Sequence, residues 1–171
     1  MEQIRYSRVA RLLHWGVGLL ILANLAGGFL HDANPQFIMP LHKATGILIL
    51  ALTVIRILWR LTHPAPALPA AMPMWERATA SFTHALMYAL MVLIPLSGWV
   101  LASAGDRPLS FYGLFDVMKF SVEKSEAFKH VMEERHEQLS FALIALLVLH
   151  TVAALRHHFL LKDGLLARML R

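Results

Sequence analysis

Four long apolar stretches, separated by polar segments, occupy most of the chain. A bilayer core of about 30 Å is crossed by roughly 20 apolar residues in a helix. The pattern therefore predicts four membrane spans, at about 12–30, 41–61, 78–102 and 136–157. Thr62 to Met74 contains four prolines and is predicted to be an extended connector. We expect a single all-α membrane domain, residues 1–171, built as a four-helix bundle.

The polar segments give further local expectations. Pro40 is expected to precede the second helix, and a short surface helix is predicted at 123–131. The tail after His158 is amphipathic and basic and is expected to lie on the membrane surface. Arg56 and Arg60 stand near the end of the second stretch, where long side chains can extend to the interface.

The fourth stretch has a histidine at each end of its apolar run. His136 and His150 are fourteen residues apart, just under four helical turns, so both rings point to nearly the same side. They stand about 21 Å apart along the axis. This spacing predicts two ligand positions on one helix face, one near each edge of the membrane.

Composition narrows the chemistry. The chain is 57% hydrophobic and 16% charged, with ten histidines and no cysteine. Disulfides, thiolate zinc sites, iron–sulfur clusters and covalent haem attachment are therefore excluded, and histidine is the available metal ligand. The net charge of +5 does not indicate nucleic-acid binding, because the basic residues lie at the ends of the apolar runs.

The distribution of charge predicts the orientation. With both termini in the cytoplasm, the inner segments hold ten cations and three acids, and the outer segments hold six cations and eight acids. The positive-inside rule favours this orientation. The first apolar run is expected to remain as a span, because no small-residue cleavage site follows it.

Orientation then assigns each histidine a depth. His42 and His136 lie near the outer edge of the membrane, and three candidates lie near the inner edge: His14, His84 and His150. Two bis-histidine sites for haem b, stacked across the membrane, fit this layout. A zinc or copper transporter would instead need acidic residues in mid-span, and the spans contain none in their centre. Six glycines allow a close approach of a macrocycle or of another helix: Gly16, Gly18, Gly27, Gly28, Gly46 and Gly98.

The histidines and their neighbours resemble the bacterial cytochrome b561 family over nearly the whole chain. The matching residues are Tyr6-Ser7, His14-Trp15, Leu41-His42-Lys43 with Gly46, His84 with Tyr88, Pro95, Gly98, His136-Glu137, His150, and Ala154 to Phe159 before Lys162-Asp163. The resemblance implies four helices that enclose two haems b. It implies the ligand pairs His42–His136 and His14–His150, which leaves His84 as a neighbour of the inner haem.

Within the family, the chain resembles the superoxide oxidase type. That resemblance implies transfer of electrons from superoxide, outside, through both haems to ubiquinone. The implied quinone pocket includes His157, with Arg156, His158 and His84 able to line it. Lys43 and Arg135 are the local cations at the superoxide entrance, beside Glu137. Because several acids crowd this entrance, the alternative is a quinone-linked electron relay that exchanges electrons with a periplasmic or membrane protein partner, the former docking here.

Overall fold

The structure is a computed structural model, and it describes residues 5–69 and 72–170. Four helices carry the fold: α1 Arg8–Phe29, α2 Pro35–Thr62, α3 Met74–Ala104 and α4 Glu126–Arg156. The last continues into a π-helical turn, His157–Leu161. All four are long and apolar enough to cross a membrane. The predicted four-helix membrane bundle is confirmed, and the connector after α2 has no helical residue from Pro64 to Pro69.

The second helix begins earlier than expected. A short 3-10 helix, His31–Ala33, leads to Asn34, whose side chain caps α2 by accepting the Phe37 amide at 3.3 Å. Pro35 occupies the first helical turn, where its missing N–H costs nothing. Pro40 consequently lies inside α2 and not before it. It removes one backbone hydrogen bond near the start of this long helix, and the helix tolerates the loss.

The fourth helix is also longer than the predicted span. Ser125 caps it by accepting the Phe128 amide at 3.2 Å, and no proline or glycine interrupts residues 126–136. The surface helix predicted at 123–131 is therefore continuous with α4 rather than separate. His136 consequently lies well inside a regular helix, and the backbone around it is held by helical hydrogen bonds.

Consecutive helices pack closely: α1 on α2, α2 on α3, and α3 on α4. A buried apolar cluster fills the middle of the bundle, formed by Val17, Ile21, Ile49, Leu90, Met91 and Leu143. Leu143 lies halfway between His136 and His150, so the cluster separates the two histidine levels. Large apolar side chains cover the outside of the helices, as expected of a surface that faces lipid.

The two ends of the bundle differ. We call the end where α1 begins and α4 finishes the terminal end, and the opposite end the loop end. At the loop end a small hairpin, β1 Ser110–Phe111 and β2 Phe115–Asp116, follows α3. Ser103, 2% exposed, donates to the Trp99 carbonyl and accepts the Phe120 amide, which fastens the loop onto α3.

At the terminal end the tail turns back across the bundle. Lys162 and Gly164 have positive φ, 52° and 77°, and the short helix α5, Ala167–Leu170, follows. Trp15 donates its indole N–H to the Met169 carbonyl at 3.1 Å, and Arg168 donates to Ala67 at 2.6 Å. The tail is therefore part of the bundle's end surface.

Candidate functional site

Two histidine pairs face each other across the bundle. At the loop end, His42 of α2 and His136 of α4 have ring centroids 6.1 Å apart. At the terminal end, His14 of α1 and His150 of α4 have centroids 6.2 Å apart. Each pair connects α4 with a helix that is not its neighbour in sequence: α2 at the loop end and α1 at the terminal end.

The loop-end pair is held by hydrogen bonds to oxygen. His42 donates Nδ1–H to the Asn24 carbonyl at 3.0 Å. Ser97 uses its only hydrogen for the Ile94 carbonyl, so its Oγ accepts from His136 Nδ1 at 2.9 Å. Both rings therefore carry hydrogen on Nδ1 and leave the Nε2 lone pair free, which is the tautomer a metal-ligating histidine needs.

The terminal-end pair has a different environment. Arg56 donates from Nη2 to His14 Nδ1 at 2.8 Å, and its guanidinium lies 5.3 Å from the centre of the Tyr88 ring. Arg56 therefore turns into the bundle instead of extending to the interface. Because arginine only donates, a neutral His14 in this contact holds its hydrogen on Nε2. Iron ligation by Nε2 requires Arg56 to release Nδ1 so that the hydrogen occupies it.

A third histidine lies at the same level. The His84 ring of α3 is 5.4 Å from the His150 ring, closer than His14. The structure thus places His150 between two possible partners. The three inner candidates of the sequence are brought together, and the two outer ones form a separate pair.

Both predicted ligand pairs have a spacing that fits an axial bis-histidine metal. Two metal–nitrogen bonds of about 2 Å, with about 1 Å more inside each ring, place the ring centres roughly 6 Å apart. The observed 6.1 and 6.2 Å agree with this spacing. His42 and His136 already leave Nε2 free to bind a metal. His14 leaves Nε2 free once Arg56 has released its Nδ1. The assignment of these four histidines as haem ligands stays a prediction.

Gly98 of α3 gives the His136 ring its room. A Cβ built at Gly98 would lie 3.0 Å from Cε1 and 3.4 Å from Nδ1 of His136. Gly27 and Gly28 face the His42 ring less tightly, with the nearest ring atom 3.5 Å from a built Cβ. The glycines at this level thus line the imidazoles themselves.

We expect Gly98→Ala to weaken haem binding at the loop-end pair by about tenfold, since displacing a packed ring costs about 1–3 kcal/mol. The measurement is haem retained per chain when the purified protein is challenged with a haem-scavenging apoprotein. Gly105→Ala is the matched control, because its Cβ would meet only the Ala102 carbonyl at 3.7 Å. Equal retention by both variants would contradict a tight contact at Gly98.

The predicted superoxide entrance is only partly assembled. Lys43 of α2 is exposed at the loop end. It interacts electrostatically with Arg107 and Lys119 of the loop between α3 and α4. Arg135 is exposed and donates to Gln138 at 2.8 Å, and Glu137 is exposed beside it. Two cations therefore lie near Lys43, whereas Arg135 contacts Gln138 on its own helix.

The residues predicted for the quinone lie at the end of α4. Arg156 forms an ion pair with Glu76 of α3, Nη1 to Oε1 3.1 Å. The His157 side chain is largely buried and contacts Asp163, Nδ1 to Oδ2 2.5 Å. His158 is exposed, with its ring 4.7 Å from that of Phe159. The side chains of these three residues therefore have different neighbours. His84 lies with His150 at the terminal-end histidine level.

A shallow, open cleft lies at the terminal end, and His157 does not line it. Its lining is aromatic and basic: Tyr6, Ala10, Arg56, Trp59, Arg60, His63, Tyr88 and Met169. Trp59 stacks on His63 with ring centroids 3.8 Å apart and donates its N–H to Ser7. None of the residues predicted for the quinone lines this cleft.

Several partners of the histidines were not predicted from the sequence: the Asn24 carbonyl, Ser97, Arg56 and Asp163. Only Arg56 carried a signal, as a charge inside an apolar stretch. Ser97 and Asp163 are ordinary residue types whose contacts depend on helix packing and on the turn after α4. A backbone carbonyl such as that of Asn24 leaves no mark on the sequence at all.

The fold and the site define a class: a four-helix membrane protein with paired histidines at two levels along one helix. The sequence model of the family described as prokaryotic cytochrome b561 matches residues 5–171. The chain belongs to this family. It is therefore a membrane electron-transfer protein, and the family's cofactor is haem b, which the paired imidazoles suit.

Curated relatives agree with the family. The chain is 33% identical to cytochrome b561 homolog 2 of Escherichia coli (strain K12), over 97% of this chain and 91% of the relative. It is 29% identical to the probable superoxide oxidase CybB of Yersinia pestis, over 97% and 96%. It is 28% identical to cytochrome b562 of Cereibacter sphaeroides, over 97% and 95%. Oxidoreductase chemistry follows from the family, in place of metal transport.

Proposed function

We propose that this chain is a di-haem b oxidoreductase that takes electrons from superoxide and delivers them to ubiquinone. The observation that carries the proposal is the presence of two imidazole pairs at two levels of α4. The ring centroids within these pairs are 6.1 and 6.2 Å apart. We place the protein in the bacterial inner membrane with both termini in the cytoplasm. The loop end then faces the periplasm.

Four histidines would hold the cofactors: His42 with His136, and His14 with His150. Each haem b, when bound, supplies an iron that accepts and releases one electron. The Asn24 carbonyl and Ser97 fix the tautomer of the loop-end rings. The buried apolar cluster around Leu143 lies between the two levels and lowers the dielectric constant around both.

Superoxide is a small anion, and the cations at the loop end support it as the donor. Lys43 lies two residues before Thr45 in α2. The Thr45 hydroxyl contacts the Tyr112 hydroxyl of the hairpin at 2.8 Å. Arg107 and Lys119 add positive charge near Lys43. Such a local group raises the concentration of an anion at the surface, although the outer segments are net negative.

Ubiquinone is proposed to bind at the terminal end, near His157. Reduction of a quinone consumes protons as well as electrons, and histidine exchanges protons near neutral pH. Arg156 and His158 flank this residue in the chain, and His84 lies toward the histidine level. Membrane lipid surrounds the bundle, and a quinone reaches this position from the lipid phase.

The alternative function is an electron relay between the quinone pool and a periplasmic protein. Exposed acids of α4 next to His136 favour it: Glu133, Glu134 and Glu137. An acidic surface of this kind suits docking of a basic redox partner. This alternative keeps both haems and the quinone and differs only in the electron donor.

The two functions are separated by rapid mixing of the purified, haem-loaded protein with superoxide in the absence of any partner. We expect the haem absorption bands to become reduced within the mixing experiment and to reoxidise when ubiquinone is added. Failure of superoxide to reduce the haems, while a chemical reductant does so, would overturn the oxidase function and leave the relay.

In the same experiment, Lys43→Gln is expected to slow superoxide-driven reduction several-fold, because electrostatic attraction of an anion depends on local charge. Lys124→Gln is the matched control, since Lys124 is already paired with Asp106 at 3.4 Å at the same end. Reduction by an uncharged chemical donor should be the same in all three proteins. An equal rate with superoxide would remove Lys43 from the entrance.

A further inference from the structure

The turn after α4 brings a carboxylate onto His157. The helix ends in a π-helical turn, Lys162 adopts a left-handed conformation with φ 52°, and the chain reverses. This reversal places Asp163 Oδ2 2.5 Å from His157 Nδ1. The second carboxylate oxygen, Oδ1, accepts the Leu165 amide at 3.1 Å, so the carboxylate is fixed in orientation.

The contact determines which nitrogen of His157 is free. A carboxylate accepts, so His157 Nδ1 carries the hydrogen and Nε2 is directed away from Asp163. The side chains are 13% and 21% exposed, so the pair is sheltered from water and its charge interaction is less screened than at a surface. The ring is thus held in one tautomer and one orientation.

We propose that Asp163 is the positioning residue of His157, the histidine that protonates the quinone. This inference rests on the proposed function at the terminal end and deepens it. Asp163 retains Nδ1–H and stabilises the positive ring, so the proton that the protonated His157 gives up is the one on Nε2. That proton goes to a quinone oxygen.

The balance of the reaction is simple. One quinone takes up two electrons from the reduced protein and two protons, and its two C=O groups become two O–H groups. Two superoxide ions, each oxidised to dioxygen, supply the electrons. After each transfer the neutral His157 is reprotonated at Nε2 by water from the terminal end, while Nδ1–H stays on Asp163.

The informative change is Asp163→Asn. If the amide oxygen keeps the Leu165 contact, the NH₂ group faces His157 Nδ1 and donates to it. The neutral ring then holds its hydrogen on Nε2, and the protonated ring loses its carboxylate partner. Both effects oppose proton transfer in the transition state more than they oppose quinone binding.

The experiment is stopped-flow reoxidation of chemically reduced, haem-loaded protein by a short-chain ubiquinone, over a range of quinone concentrations. We expect Asp163→Asn to lower the limiting rate by about a hundredfold, with the half-saturating concentration close to that of the wild type. His157→Gln should show a similar loss, and the double variant should be no slower than either single one. Asp106→Asn, an exposed carboxylate at the loop end, is the matched control.

Three kinds of result in the Asp163 variants would overturn the inference. One is a wild-type limiting rate in Asp163→Asn. Another is a loss that appears in the half-saturating concentration together with altered haem spectra, which would make Asp163 a structural residue of the turn. The third is strictly multiplicative losses in the double variant.

If the reduced wild type itself is not reoxidised by quinone, the proposed function fails as well. Trp59→Leu adds a further readout, since loss of reoxidation in that variant alone would place the quinone in the Trp59 cleft.

Discussion

Replacing His136 by alanine is expected to leave the protein with one haem in place of two. The His136 ring faces that of His42 in the loop-end pair, with the two ring centroids 6.1 Å apart. Without it, His42 alone would remain to hold a haem at this level, and the imidazole that Ser97 orients would be gone. The other level lies about 21 Å along α4, behind the buried cluster, and should retain its haem. Haem content per chain and the reduced-minus-oxidised spectrum provide the measurement.

Two further variants make this result interpretable. His42→Ala should remove the same spectral component as His136→Ala, because we propose that both rings hold one haem. His130→Ala is the control: this histidine is on the same helix, is exposed, and only approaches Glu134 at 3.8 Å. Different components lost in the two loop-end variants, or two haems retained in either, would contradict the pairing.

The same variants predict a functional loss. If electrons enter at the loop end, a protein without the loop-end haem should not be reduced by superoxide, although a chemical reductant still reduces the remaining haem. Electron transfer over the thickness of the membrane needs a carrier at each level, so one retained haem is not sufficient.

The helices were predictable because their signal is local. Each apolar stretch needs only its own residues to indicate a span, and the family's histidines fall at fixed depths within those spans. The boundaries were harder. Pro40 suggested a helix start, whereas the capping side chain of Asn34 and the tolerant position of Pro35 set the start earlier. At α4, nothing in residues 126–135 opposes helix, so the span continues into the loop.

The site was predictable at the level of depth but not of contact. Depth along a helix follows from counting residues, which is why His42 and His136 could be matched before the structure. Contacts such as that of Ser97 with His136, or of Arg56 with His14, depend on how two helices are rotated toward each other. The Asp163 contact depends on a left-handed residue at Lys162, a conformation that lysine rarely indicates.

The terminal-end level needs its own decisive prediction, because His150 has two neighbours. The His14 ring at 6.2 Å has nearly the spacing of the loop-end pair, whereas the His84 ring at 5.4 Å leaves less room for a metal between the rings. We therefore expect His14→Ala to remove the terminal-end haem and His84→Ala to keep both haems. Haem content and the difference spectrum again measure the outcome.

Arg56 sharpens this prediction. Its hydrogen bond to His14 Nδ1 must be released when Nε2 ligates iron, so a neutral side chain at position 56 should not abolish the terminal-end haem. It should instead lower the haem's midpoint potential, because a nearby positive charge favours the reduced iron. Arg56→Gln with two haems and a lowered potential in redox titration, next to His14→Ala with one haem, would assign His14 as the ligand. One haem in His84→Ala and two in His14→Ala would assign His84 in its place, and would leave the Arg56–His14 contact as a structural bond within the bundle.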